Sequence, residues 1–389
     1  MQVPTATVTF PTSFMNGSQT TINGTAEDNP SGITLVEIAI SSDSGGVAGS
    51  WYNGVSFSGN LGDPGTYMST TTYTGGSPDS WTHDIAPALT QGNVYSIVLR
   101  TTDGAGNVRT QTLDERETFK YDEVKPTVSL ADPDADYERA LDVISGGSSD
   151  GATFVTGVEV SVSTGGGAFE DFFWNGSGWQ VGSYWFAASA KNAPFDSGSE
   201  EWQSTNSTPT WVTGITYKVK VKSTDQAGNE SDVVSSTFTF DLGVPTVSIH
   251  DPNDPAPGDD VNPRISTMTL VNGRPAVRGA TGDNGPAGVN LVEVRVRSVD
   301  LVKWYNNGNG LFDLDDGDTA WFNAVTTDSW ANWYSTMTLG TDARYRVNAR
   351  SYDTAGNMSV GLATSSFVMD QDVPESDVQF PGEGSYVRD

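Results

Sequence analysis

The residues best equipped for chemistry in this chain are its carboxylates. Aspartate and glutamate number 49 against 20 lysines and arginines, for a formal net charge of -29 over 389 residues. Carboxylate oxygens are hard ligands of the kind calcium takes, about six to eight at a time. Several acids recur at fixed places. Asp122, Asp241 and Asp370 each stand four residues before a proline, and Asp103, Asp225 and Asp353 each open a D-x-A-G-N pentapeptide. Glu27, Asp28, Asp150 and Asp283 follow what reads as a second strand. Two denser groups are local: Asp132, Asp134 and Asp136 in D-P-D-A-D-Y-E, and Asp313, Asp315, Asp316 and Asp318 in D-L-D-D-G-D. Neither is an EF-hand. The first lacks Gly at the sixth position and has Val143 where the bidentate acid belongs; the second has Gly317 at the fifth. All these aspartates are candidate calcium ligands. The plainer alternative stays open, since an Asp in a turn hydrogen-bonds backbone amides without any metal, and an acidic loop is often simply solvated.

A second group is aromatic. F-F-W-N-G-S-G-W-Q carries Trp174 and Trp179, with Trp185 just beyond; W-Y-N-N-G carries Trp304 and Tyr305, with Trp321 following. Such rings grip sugars or mediate self-association, or they cover a core, as Trp51 in W-Y-N-G would. Catalysis finds little footing. Only His83 and His250 exist, far apart, and there is no cysteine, so neither a nucleophilic triad nor a thiolate metal site can be assembled. Chance carboxylate pairs are expected among so many acids, and none is singled out for glycoside chemistry. The chain is expected not to be an enzyme. Its charge repels phosphate backbones and anionic lipid, so nucleic acid is not an expected partner. No apolar run approaches a membrane span, and the first residues lack the regions of a signal peptide.

The elements that must position these residues repeat. Tyr95–Asn107 reads Y-S-I-V-L-R-T-T-D-G-A-G-N, Tyr217–Asn229 reads Y-K-V-K-V-K-S-T-D-Q-A-G-N, and Tyr345–Asn357 reads Y-R-V-N-A-R-S-Y-D-T-A-G-N. Alternating buried and polar positions, as in Tyr217, Val219 and Val221 against Lys218, Lys220 and Lys222, have the period of a strand with one covered face. D-x-A-G-N ends it with turn chemistry. Earlier strands show the same alternation: Val36, Ile38 and Ile40 about Glu37; Val158, Val160 and Val162 about Glu159; Val292, Val294 and Val296 about Glu293. F-K-Y-D-E-V-K-P, F-T-F-D-L-G-V-P and F-V-M-D-Q-D-V-P mark joints, each opening a P-x6-P segment read as a first edge strand. The opening prolines Pro4, Pro126, Pro245 and Pro374 recur at roughly one-domain intervals. In the first repeat strands are expected at 6–10, 20–26, 35–41, 51–57, 81–85, 94–101 and 118–121.

Some seven short strands per repeat, with turn signals between them, picture an immunoglobulin-like sandwich, and Tyr95, Tyr217 and Tyr345 sit where that fold has its tyrosine corner. The expected fold is all-β, three tandem immunoglobulin-like β-sandwiches at 1–122, 123–241 and 242–370, with 371–389 a linker and the opening strand of a fourth. The openings Gly24-Thr25-Ala26-Glu27-Asp28 and Val158-Glu159-Val160, the W-N-G-x-x-W middles, the Y-x-V-x-x-x-x-D-x-A-G-N strands and the F-x-Y-D-x-x-x-P joints resemble tandem bacterial Ig-like (fibronectin-III-like) domains of large secreted and cell-surface proteins. Domain one keeps only half of the W-N-G-x-x-W motif.

That resemblance implies an extracellular location, at a bacterial surface or secreted, and a structural role as adhesin stalk, surface layer or filament. Calcium at the joints would stiffen it, and the fourth strand would join neighbouring copies. Strands of about seven residues span roughly 23 Å, so such a rod would measure on the order of 100 Å. The implied alternative is a carbohydrate-binding or accessory array of a secreted polysaccharide-active enzyme, with surface glycans as partners.

Overall fold

A computed structural model describes residues 3–47, 50–70, 72–73, 78–85, 88–165, 172–192, 194–204, 208–252, 264–265, 268–373 and 375–376. The fourth-unit strand expected after Pro374 lies outside them. Among the described residues six sheets arise as three pairs, one small and one large in each repeat. In the first, the small sheet runs Thr5–Phe10, Thr21–Glu27, Asp79–Asp84, Thr72–Tyr73. The large one runs Phe14–Met15, Glu117–Tyr121, Val94–Asp103, Ile33–Ser41, Trp51–Tyr52, Phe57–Gly59. The middle and last repeats keep both orders. By compactness the chain divides into two units, Met1–Asp134 with Asp142–Pro209 and Lys218–Ser236, and Ala135–Leu141 with Thr210–Tyr217 and Thr237–Asp389.

The P-x6-P segment and the residues just after it do two jobs in succession. Thr5–Phe10 pairs antiparallel in the small sheet, then Phe14–Met15 pairs parallel in the large one. A register shift ends the first pairing in every repeat, between Val8 and Phe10, Leu130 and Asp132, and Ile249 and Asp251. Each bulge bends the strand where it leaves one sheet for the other.

The stretch expected as one strand over 51–57 is instead a hairpin, Trp51–Tyr52 against Phe57–Gly59. Asn53 Oδ1 accepts the amides of Val55 and Ser56, turning the chain on itself. Asn175 does the same for Ser177 and Gly178, and Asn306 for Gly308. The W-N-G motifs are therefore turn signals, and the hairpins they make extend the large sheet at its edge, as in variable-type immunoglobulin sandwiches.

The cores follow the alternation. Ile38, Ile40, Ile97, Leu99, Tyr95 and Phe119 pack in the first repeat, and Val292, Val294, Val296, Val347, Tyr345 and Phe367 in the last. Each repeat also buries a tryptophan from the small sheet, Trp81, Trp202 and Trp333, all 1 % exposed. These lie against Gly24, Gly146 and Gly279, where a Cβ would come within 1.9 Å of a neighbouring backbone oxygen and within 2.8 Å of the indole. Only glycine admits the ring there. The tyrosine corner is present three times: the hydroxyls of Tyr95, Tyr217 and Tyr345 accept the amides of Thr90, Val212 and Gly340, five residues upstream.

Candidate metal centres at the joints

D-x-A-G-N is a hairpin turn. Asp103, Asp225 and Asp353 each donate their amide to the carbonyl of the Asn four residues on, and Gly106, Gly228 and Gly356 take φ of +82, +83 and +86°. The aspartate closes the loop from within. Asp225 Oδ1 accepts the Asn229 amide at 2.9 Å, and Oδ2 accepts Asn229 Nδ2 at 2.9 Å. Asp353 and Asn357 repeat this at 2.7 and 2.8 Å.

In the unit containing residues 1–134, Asp225 meets two further carboxylates. One oxygen each of Asp122, Asp150 and Asp225 lies within 4.8 Å of the others, and all three residues are buried. Asp122, completely buried, ends the first repeat; Asp150 follows the strand Ile144–Ser149. Asp122 Oδ1 accepts from Gln91 Nε2 and the Val124 amide, and Asp150 Oδ2 from the Ala152 and Thr153 amides. Asp122 Oδ2 and Asp150 Oδ1 are buried with no hydrogen-bond partner.

The other unit holds the same constellation. Asp241, Asp283 and Asp353 again bring one oxygen each within 4.8 Å. Asp241 accepts the amides of Gly243 and Ala287, one on each oxygen, and Asp283 Oδ1 accepts that of Gly285. Here a single carboxylate oxygen, Asp283 Oδ2, is buried and unpaired. Gly285 presses on Asp241 so closely that a Cβ would fall 2.0 Å from Oδ1.

The carboxyl of Asp225 is pushed above the usual range, first by burial, with Asp122 and Asp150 adding to the shift and Asn229 opposing it. A divalent cation would remove that cost. Two oxygens bound to one calcium, each at about 2.3–2.6 Å, lie no more than roughly 5 Å apart, so the observed spacing fits. The unpaired oxygens supply lone pairs that the protein itself leaves unused.

Other predicted ligands are placed differently. Asp103 is buried and accepts from half-buried Asn107, and Asp28 accepts from Ser31 Oγ at 2.7 Å. Asp370 pairs with Arg264 at 3.0 Å. The two acidic loops do not converge among the described residues. Asp132 accepts from Ser145, and Asp134 and Asp136 are exposed. Asp313 accepts from Asn306 and Asn309, Asp315 pairs with Lys303, Asp318 lies 3.5 Å from Arg295, and Asp316 caps the Asp318 amide.

The aromatic candidates have partners too. Tyr305 is in the core against Phe312 and Phe322. Trp174 and Trp179 meet edge to face at 5.7 Å across their hairpin. Trp185 lies under Lys222, and Arg295 sits between Trp304 and Trp321 at 4.6 and 4.5 Å. A device that sequence reasoning missed unites the three repeats. Tyr67, Trp185 and Trp321 cover Arg100, Lys222 and Arg350, and those cations pair with Glu37, Glu159 and Glu293, the outward acids of the neighbouring strand. The signal was in the sequence, as a cation five residues after each corner tyrosine.

No family model matches the chain, and no curated protein does. Among solved structures it is similar to the Clostridium thermocellum CbhA fibronectin(III)-like modules, at 17 % identity over 61 % of this chain and 94 % of that one, TM-score 0.33. It is also similar to the sialic acid binding region of a Streptococcus sanguinis SK1 adhesin bound to 3'sLn, at 12 % identity over 95 % and 78 %, TM-score 0.27. Superpositions that loose bear on no site. Sheet order and the tyrosine corners settle the fold. These are immunoglobulin-like sandwiches in tandem. Among the described residues no helix is long and apolar enough to cross a membrane.

Proposed function

We propose that these sandwiches form a non-catalytic structural array, the stalk or building block of an extracellular surface assembly, with calcium fastening the two joints closed by Asp122 and Asp241. The observation that carries this reading is the repeated trio Asp122, Asp150, Asp225 and Asp241, Asp283, Asp353. Each trio takes its acids from the end of one repeat and from two loops of the next, so an ion there needs both. Unpaired buried oxygens in both trios favour a bound cation over a purely hydrogen-bonded turn. Calcium outside cells is plentiful enough to fill sites of about 10⁻⁴–10⁻³ M, the range of extracellular modules, which supports an extracellular location. The partners on this reading are further Ig-like domains of the same polypeptide or neighbouring copies. The glycan-binding alternative draws less support, because cations already cover faces of Trp185, Trp304 and Trp321.

Calorimetric melting and small-angle scattering of the whole chain, in calcium chloride and in EDTA, test the reading. Calcium is expected to raise the melting temperature and narrow the distribution of dimensions. Identical curves in both buffers would remove calcium from the account.

A further inference from the structure

The asparagine of D-x-A-G-N has two duties at the joints. Asn229 Nδ2 donates to Asp225 Oδ2 and also, at 2.8 Å, to the backbone carbonyl of Asp122. Asn357 Nδ2 likewise serves Asp353 Oδ2 and, at 2.9 Å, the carbonyl of Asp241. One amide nitrogen carries two hydrogens, so each is spent once. In the first repeat Asn107 Nδ2 donates to Asp103 Oδ2 at 2.7 Å, and Ala105 and Gly106 of that turn are exposed. In the second repeat Ala227 is buried and its carbonyl accepts Asn16 Nδ2, so the turn is held from both directions.

We propose that Asn229 and Asn357 are positioning residues that couple cation binding to the joint. Each holds one acid of its trio while fixing the backbone of the residue that contributes another. The Asp122 backbone is fixed through its carbonyl by Asn229 while its carboxylate lies beside those of Asp150 and Asp225, and Asp241 is held in the same way by Asn357. Loss of the amide frees the closing aspartate to swing out of the trio, which weakens the ion without removing any ligand. Outer hydrogen-bond partners of metal ligands commonly govern affinity about 10–100-fold. This proposal rests on the calcium reading above.

Titration calorimetry of the full chain with calcium chloride separates the two. The wild type is expected to bind two ions. Asn229→Ala should weaken one site about tenfold or more and leave the other unchanged, Asn357→Ala should do the reverse, and Asn107→Ala should change neither. If the wild type binds calcium and both Asn229→Ala and Asn357→Ala bind it as tightly, the coupling is wrong and the calcium reading stands. A wild type that binds no calcium overturns both. Melting in EDTA guards against a merely structural role: a variant that melts lower in EDTA yet keeps wild-type affinity also overturns the proposal. Because the two asparagines serve separate trios, a folding failure in one variant leaves the other to decide.

Discussion

The same five-residue turn stands in two settings within one unit, at Asp103–Asn107 and at Asp225–Asn229. Their internal bonds match, with the aspartate accepting both amides of the asparagine. Their electrostatics do not. Asp103 is held below the usual carboxylate range, first by the side-chain bond from Asn107. Asp225 is pushed above it, because burial beside Asp122 and Asp150 outweighs the same bond from Asn229. The difference teaches that D-x-A-G-N is first a turn. It becomes part of a joint only where another repeat's closing aspartate arrives.

Replacing the aspartate should therefore have opposite signs in two buffers. With calcium at about a hundred times its dissociation constant, Asp225→Asn is expected to forfeit about 2.7 kcal/mol of linkage stabilisation. In EDTA the same change should cost nothing or stabilise, since it relieves repulsion in the trio. Asp103→Asn should cost the same modest amount in both buffers, the worth of weakened turn bonds. Urea unfolding of each variant with and without calcium checks this, and equal losses for Asp225→Asn in the two buffers would break the comparison.

The second trio offers a steric test. Gly285→Ala would drive a methyl into Asp241, and overpacking of this kind costs about 1–3 kcal/mol. Calcium affinity at that joint should fall, while the Asp122 trio, in the other unit, should titrate as before.

A smaller effect appears on titration. In EDTA, ionising Asp225 costs more in the folded than in the unfolded chain, so acidifying through its raised pKa should stabilise. Asp103 acts the other way. Its contribution is full above the ordinary carboxylate pKa and disappears as pH falls through its lowered value. Unfolding free energy against pH for Asp225→Asn should lose the first slope, and for Asp103→Asn the second. Saturating calcium should reverse the first slope, because protons then compete with the ion.

Much of this was legible in the sequence. Period-two alternation located the central strands, and the fixed spacing from tyrosine to D-x-A-G-N gave both the corner and the turn. The joint aspartates also stood out, but not which acids would meet. Asp150 and Asp283 looked no different from Glu27, and the clusters at 132–136 and 313–318, denser in sequence, do not converge among the described residues. Local density is not spatial convergence: Asp313 and Asp315 are taken up by Asn306, Asn309 and Lys303, their own neighbours. Trp81, Trp202 and Trp333 were overlooked as core residues because their recognition element, a glycine on the adjacent strand, lies more than fifty residues away in each repeat. The W-N-G motifs invited a ligand reading because a turn asparagine and a sugar-binding aromatic use the same letters.

The most direct measurement is a crystal structure grown in calcium chloride, with anomalous data collected at long wavelength. The account predicts one peak in each trio, about 2.3–2.6 Å from Asp122 Oδ2 and Asp150 Oδ1 in the first and from Asp283 Oδ2 in the second. Trios that keep their carboxylates together with no peak between them would contradict it.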